Sequence, residues 1–341
     1  KVLVTIALIV LAFTTAINVL GVRLLAIINN LGVLAEFTGM LVLGGILLFA
    51  HAHHPLSFIS NTGGTEVNGS YVGTFFAAML MSLFVVYGFD TAGTLAEETH
   101  NPSRSVPRAL LLALLGSFII GGLFLLGAVL AIPSGKGDLA KFMADSNALE
   151  SIISNAVPNL SNFFFVVVSI AISICGLSVQ ANATRLLFSM ARDRQVPAGR
   201  FLSRVSPSLH TPVNAVLTTA VLSAALIFLT QVEAVLVAVA VVLIYLAYGI
   251  CTASTLVARL RGWPEQPAAF SLGKAGLVIN ALAVLYGAAM IVNLSWYRPV
   301  ATQAAYLNLA IYIFVPLILV VGAIYYYGFQ KRVSTGEPAP A

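Results

Sequence analysis

The sequence predicts an all-α polytopic membrane protein, and three observations predict it. Charged residues make up 9% of the chain against 59% hydrophobic residues, with a mean hydropathy of +0.98. Soluble domains carry roughly 25% charged residues. Apolar runs recur at the length of about 20 residues that a helix needs to cross a bilayer. Basic residues sort into alternate connections between those runs, the bias that sets orientation in a membrane.

The apolar runs lie at 2–20, 31–50, 72–99, 109–132, 161–190, 213–230, 234–257, 275–294 and 305–329, which gives nine spans. None alternates as a membrane β-strand would. With the N-terminus placed outside, thirteen basic residues fall inside: Arg23, Arg104, Arg108, Arg185, Arg192, Arg194, Arg200, Arg204, Arg259, Arg261, Lys274, Lys331 and Arg332. Lys1, Lys136, Lys141 and Arg298 fall outside. This orientation is that of a multi-pass protein of the plasma membrane with a cytoplasmic C-terminus. The net charge of +5 is then loop chemistry. No basic surface domain exists to bind nucleic acid.

The connections follow the same logic. Val22 to Asn30 reads as a short inner loop marked by Arg23, and His51 to Ser70 as a polar outer loop. His51, His53 and His54 lack Cys or acidic neighbours at ligand spacing, so no metal is expected. Asn101-Pro102 ends one helix, because the residue before proline is driven out of the α region. Pro107 suits the first turn of the next. Ser134 to Leu160 mixes charged and apolar residues as an amphipathic surface helix would. Ala191 to Thr211 carries four arginines inside, and the tail from Lys331 to Ala341 is polar and Pro-rich, as disordered segments are. Cys175 and Cys251 lie in apolar runs outside any redox or metal spacing and read as buried, inert thiols.

The third run contains Tyr87-Gly88-Phe89-Asp90-Thr91-Ala92-Gly93, followed by Thr94-Leu95-Ala96-Glu97-Glu98. Two glycines flanking an aspartate mark a broken helix. A carboxylate at membrane depth faces a cavity or a partner, and unwound backbone persists there only where it lines an enclosed or watery site. The half ending near Gly88 would present carbonyls to an ammonium group, and the half after Gly93 would present N–H groups to an anion. Phe89 would cover a bound solute. Tyr87, Gly88, Phe89, Asp90, Thr91 and Gly93 are therefore the candidate binding residues. A plain kink with Asp90 paired to a neighbour is the alternative.

Glu97 and Glu98 lie near the inner arginines, with Arg185 and Arg192 as the expected partners. A gate closed by ion pairing and a static ion pair are both open readings. Glu36, the only acidic residue of the second run, is placed about one turn inside it, as either a proton carrier or a structural hydrogen-bonding group. Ser169, Ser173, Ser178, Gln180, Asn182 and Thr184 either join helices or line a path. A Walker A sequence, His-Glu-x-x-His and Gly-x-Ser-x-Gly are all absent, which argues against an ATP-driven pump or a hydrolase. The chain is not expected to be an enzyme.

The run Tyr87 to Arg108, YGFDTAGTLAEETHNPSRSVPR, resembles the sixth-helix motif of the amino acid–polyamine–organocation transporters. That motif is a Gly-Phe-Asp break followed by Ala-Glu-Glu, Asn-Pro, Arg and Pro. Ala183 to Ala215, ATRLLFSMARDRQVPAGRFLSRVSPSLHTPVNA, resembles the family's eighth-to-ninth helix connection. Within the family the chain looks most like the amino acid/choline and GABA-permease branch. The resemblance implies an inverted five-helix-repeat fold. Residues 1–50 would be the last two helices of the first repeat, 71–257 the complete second repeat, and 258–341 two C-terminal helices and a polar tail. The nine runs would be family helices four to twelve. With Lys1 entering a helix at once, three further helices are expected upstream.

The resemblance also implies secondary active transport of amino acids or related amines such as GABA by alternating access. A polyamine or choline exchanger and a channel-like protein are the alternatives. The substrate ammonium would meet the carbonyls around Gly88, Phe89 and Asp90, and a Gly-rich break in the family's first helix would hold the carboxylate. Many members place Lys where Glu36 stands, so coupling to H+ or substrate exchange is expected ahead of Na+, with no other cofactor. The implied partners are the small-molecule substrate and the lipid bilayer, with oligomeric state left open.

Overall fold

A computed structural model describes residues 2–62, 64, 70–134, 142, 145, 147–228, 233–264, 269–298 and 308–331. The polar tail beyond Lys331 and much of the 134–147 segment lie outside the described residues. Among the described residues the chain is helical and has no β-strand. The described residues form twelve α-helices in order: α1 (Val2–Leu20), α2 (Val22–Ala50), α3 (Val72–Val86), α4 (Thr91–Thr94), α5 (Pro102–Leu130) and α6 (Ala148–Ala156). Then come α7 (Ser161–Arg192), α8 (Gly199–Leu202), α9 (Val213–Ile227), α10 (Glu233–Leu260), α11 (Ala275–Ser295) and α12 (Ala310–Tyr325).

Among the described residues eight segments are long and apolar enough to cross a membrane, with α3 and α4 counted together as Val72–Thr94. The chain is thus a multi-pass membrane protein. The predicted ninth span appears as α9, which at 15 residues is shorter.

Two boundaries differ from expectation. α2 begins at Val22 and not near 31, so the expected inner loop is helix. Its Asn29 accepts a hydrogen bond from Ser178 of α7 at 2.6 Å, which gives a polar residue a place inside a membrane helix. Glu36 consequently sits halfway along α2, about 20 Å from its start at 1.5 Å per residue. α5 begins at Pro102, with Pro107 in its interior. Pro102 takes the first helical position, where no N–H is needed, and the amides of Arg104 and Ser105 donate to the Asn101 carbonyl.

Two compact units are present. The first comprises residues 1–74, 110–186 and 204–222. In it α6 lies over the ends of α2 and α5, burying Leu43, Leu47, Ala128, Ile153 and Phe164 in one cluster. α2 and α5 cross closely at Gly44 and Gly127. A Cβ on Gly127 would stand 2.7 Å from the Gly44 carbonyl oxygen, and one on Gly44 2.9 Å from the Phe124 backbone. Small residues let membrane helices approach in this way.

Side-chain hydrogen bonds join α7 to its neighbours. Gln180 donates to Thr15 of α1 at 2.8 Å, Asn18 of α1 donates to the Leu177 carbonyl at 3.4 Å, and Thr184 pairs with Thr219 of α9 at 3.1 Å. Ser169 and Ser173 instead bond to carbonyls of their own helix. The His51–His54 segment folds back on α5, with the amides of His53 and His54 on the Leu130 carbonyl and the His54 ring stacked on Phe58.

The second unit comprises residues 75–109, 187–203 and 223–341. Its core is built on the valines of α10, Val235, Val239, Val241 and Val242, against Leu83, Met290, Leu294 and Val315. Valine's stiff β-branched side chain suits this tight helix contact. Asn293 of α11 donates to the Phe76 carbonyl of α3 at 3.0 Å, and Asn280 of α11 to the Thr252 carbonyl of α10 at 2.9 Å. Cys175 and Cys251, expected to be buried, are both exposed on their helices.

Gly127→Ala is expected to lower the stability of the purified protein by about 1–3 kcal/mol, the cost of overpacking. Gly45→Ala, where a Cβ meets nothing within 4 Å, should leave the melting temperature unchanged.

Candidate functional site

The interruption in the third span lies at Tyr87–Asp90, between α3 and the single turn α4. Gly88 has φ +88°, a left-handed conformation that costs any residue with a Cβ. Gly93 lies inside α4, so the helical restart precedes it at Thr91. After α4 the chain tightens into a 3₁₀ turn at Ala96–Glu98.

Tyr248 of α10 closes the interruption. Its hydroxyl donates to Asp90 Oδ1 at 2.5 Å and accepts the Gly88 amide proton at 3.3 Å. Its ring lies 5.3 Å from that of Phe89, centroid to centroid. One turn earlier, Tyr245 packs edge-on against Tyr248 and donates to the Leu83 carbonyl at 3.4 Å, near the last turn of α3. The two tyrosines hold both sides of the break from one helix face. Asp90 Oδ2 has no protein partner among the described residues.

The carbonyls at the break are not bare. The Gly88 oxygen accepts the Thr91 hydroxyl at 2.7 Å and the Thr91 amide at 3.2 Å, and the Asp90 oxygen accepts the Gly93 amide at 2.7 Å. Thr91 thus serves the local turn. Tyr87 packs against Phe84, with ring centroids 5.4 Å apart. A cation entering here would meet the Asp90 carboxylate more readily than an open carbonyl, since these carbonyls already serve the turn.

The expected pairing of Glu97 is present and two-pronged. Arg192 Nη1 and Nη2 each donate to a separate Glu97 carboxylate oxygen at 3.0 Å. Arg192 Nε also lies 3.4 Å from Asp193. The Arg192 guanidinium holds the Glu97 carboxyl below its ordinary value near 4.5. Arg185, in the first unit, donates to the Ala181 carbonyl of its own helix at 3.2 Å. The Glu98 side chain lies outside the described residues.

Glu36, Glu150 of α6 and Cys175 line a cavity of about 520 Å³ in the first unit, walled otherwise by apolar and aromatic side chains. Among the described residues no three His, Cys, Asp or Glu side chains gather as metal ligands.

Sequence reasoning missed the two tyrosines. The signal was present in Tyr245-Leu246-Ala247-Tyr248. A tyrosine hydroxyl inside an aliphatic membrane helix needs a partner, and i, i+3 spacing puts two on one face.

The family model described as amino acid permease matches residues 2–323. The chain belongs to the amino acid permease family. Amino-acid permease BAT1 of Arabidopsis thaliana is 27% identical over 289 residues, covering 79% of this chain and 55% of that protein. The branched-chain amino acid permease BcaP of Bacillus subtilis is 28% identical over 225 residues, 66% of this chain and 46% of that protein. Amino-acid permease 2 of Neurospora crassa is 23% identical over 270 residues, 77% and 48% respectively. The chain spans about half the length of the curated relatives it matches. These relatives are named as transport proteins, not enzymes.

The Glu97–Arg192 pair fixes a pH dependence. Because its folded-state value is lowered, Glu97 contributes stability above its ordinary value near 4.5. That contribution is lost as pH falls through the depressed value. Thermal melts taken from neutral pH downward should converge for wild type and Arg192→Gln in acid and separate above it. The separation is small, as for any exposed pair.

Proposed function

We propose that the protein is a secondary transporter of amino acids or closely related amines in the cytoplasmic membrane, working by alternating access. The interrupted helix carries this reading, because unwound backbone, a membrane-depth carboxylate and an overlying aromatic meet there. In this reading the substrate ammonium docks against Asp90 Oδ2 and the turn Gly88–Asp90, with Phe89 as its cover. Glu97 and Arg192 form a polar latch at the inner end, broken when that side opens. In this reading the C-terminus is cytoplasmic, which the distribution of basic residues supports.

Glu36 is the proposed proton carrier. It lies halfway along α2 in a largely apolar cavity, where an uncompensated charge is unfavourable and a proton can be held and released. Substrate coupling is then to H+ in preference to Na+.

Uptake into proteoliposomes tests this, using labelled branched-chain amino acids, other amino acids, GABA, choline and polyamines. Saturable uptake of an amino acid or amine, stimulated by an inward proton gradient, is expected. Asp90→Ala should weaken apparent affinity about tenfold or more, the loss of one charge-assisted hydrogen bond. Glu36→Gln should abolish the response to the proton gradient while leaving exchange. No saturable uptake of any compound would sink the proposal.

A further inference from the structure

We propose that a cavity at the α11–α12 end of the second unit binds an anionic phospholipid, its phosphate at Arg298 and an acyl chain along α3 and α10. The cavity measures about 600 Å³ and is lined by Leu80 and Phe84 of α3, Val237 and Val241 of α10, Tyr312 of α12, and Arg298. Its depth is apolar and its rim carries the charge.

Arg298 is one of only four basic residues that the charge bias leaves on the outer side, a position that calls for a reason. Its guanidinium is held in place. Nη1 donates to the Asn293 carbonyl and Nη2 to Asn293 Oδ1, both at 2.6 Å. Asn293 is buried and is itself anchored through Nδ2 to the Phe76 carbonyl. A guanidinium carries five N–H donors, and the other three have no partner among the described residues. Its side chain is only half-buried, so these donors remain open to a ligand.

Trp296, Tyr297 and Tyr312, exposed by 66%, 50% and 45%, surround the mouth. Such aromatics sit at headgroup level in membranes. The Tyr312 hydroxyl donates to the Ser295 carbonyl, and its ring faces Tyr297 at 6.4 Å, which fixes the rim.

The chemistry selects the occupant. A fixed guanidinium matches phosphate oxygens two at a time, and the wall below it suits a hydrocarbon chain. No Asp or Glu is among the lining residues, so the ammonium of a free amino acid would find no counter-charge. The assignment does not depend on the transport activity.

The test uses the purified protein in detergent, titrated with dioleoyl phosphatidylglycerol or dioleoyl phosphatidylcholine and followed by thermal shift and native mass spectrometry. Phosphatidylglycerol should stabilise the wild type at lower concentration than phosphatidylcholine and remain bound in the gas phase. Arg298→Gln should raise the half-saturating phosphatidylglycerol concentration about tenfold, and Arg298→Lys should keep part of the preference. Ala238→Phe, which fills the cavity and leaves the Arg298–Asn293 bonds intact, should abolish it. Equal response of the wild type to both lipids would overturn the proposal without recourse to any variant. So would the same shift from inorganic phosphate alone, or unchanged phosphatidylglycerol affinity in a folded Arg298→Gln protein.

Discussion

The hydroxyl of Tyr248 is the interaction on which the interrupted helix depends. A bilayer supplies no water to unpaired backbone groups, so a break in a membrane helix must be satisfied by protein. One phenolic oxygen can donate and accept at once. Here it accepts from the Gly88 amide and donates to the Asp90 carboxylate. Without it, the left-handed turn at Gly88 would leave an amide and a carboxylate unpaired at membrane depth, each costly in hydrocarbon. Tyr245 extends the same hold to Leu83, so α10 binds the last turn of α3 as well as the break.

The remainder of the second unit keeps that hydroxyl in place. The valine face of α10 packs against α11 and α12, and Asn293 ties α11 to α3. The Phe89 ring rests on the Tyr248 ring. Removing Phe89 would therefore loosen the break as well as uncover it. Asp90 is held through one oxygen, and the other has no protein partner among the described residues.

Eight of the nine expected spans were readable because apolar runs of membrane length are a strong signal, and the ninth, α9, is a shorter apolar helix among the described residues. The break was readable because Gly88 and Asp90 are out of place in such a run. The start of α2 was not, because Asn29 and Asn30 look like a loop until Ser178 is seen to donate to Asn29 across a helix interface. Arg185 and Arg192 were both expected as partners of Glu97 and Glu98 from their place at a helix end, which fixes depth and side, and Arg192 is the one that pairs with Glu97. Tyr248 was passed over for the opposite reason. A tyrosine among aliphatic residues raises apolar content and hides its polar end, and its partner lies 158 positions away in the chain. Openness of the Gly88 and Asp90 carbonyls was also beyond reach, because Thr91 and Gly93 turn back on them.

A double-mutant cycle between Tyr248→Phe and Asp90→Ala tests the central claim most directly, read as reversible unfolding free energy in detergent. If the hydroxyl and carboxylate act as one unit, the double variant should be little worse than either single variant. The coupling should then reach about 1 kcal/mol or more, within the range for residues in direct contact. Strictly additive losses would show that Tyr248 and Asp90 act independently, and that something else holds the break.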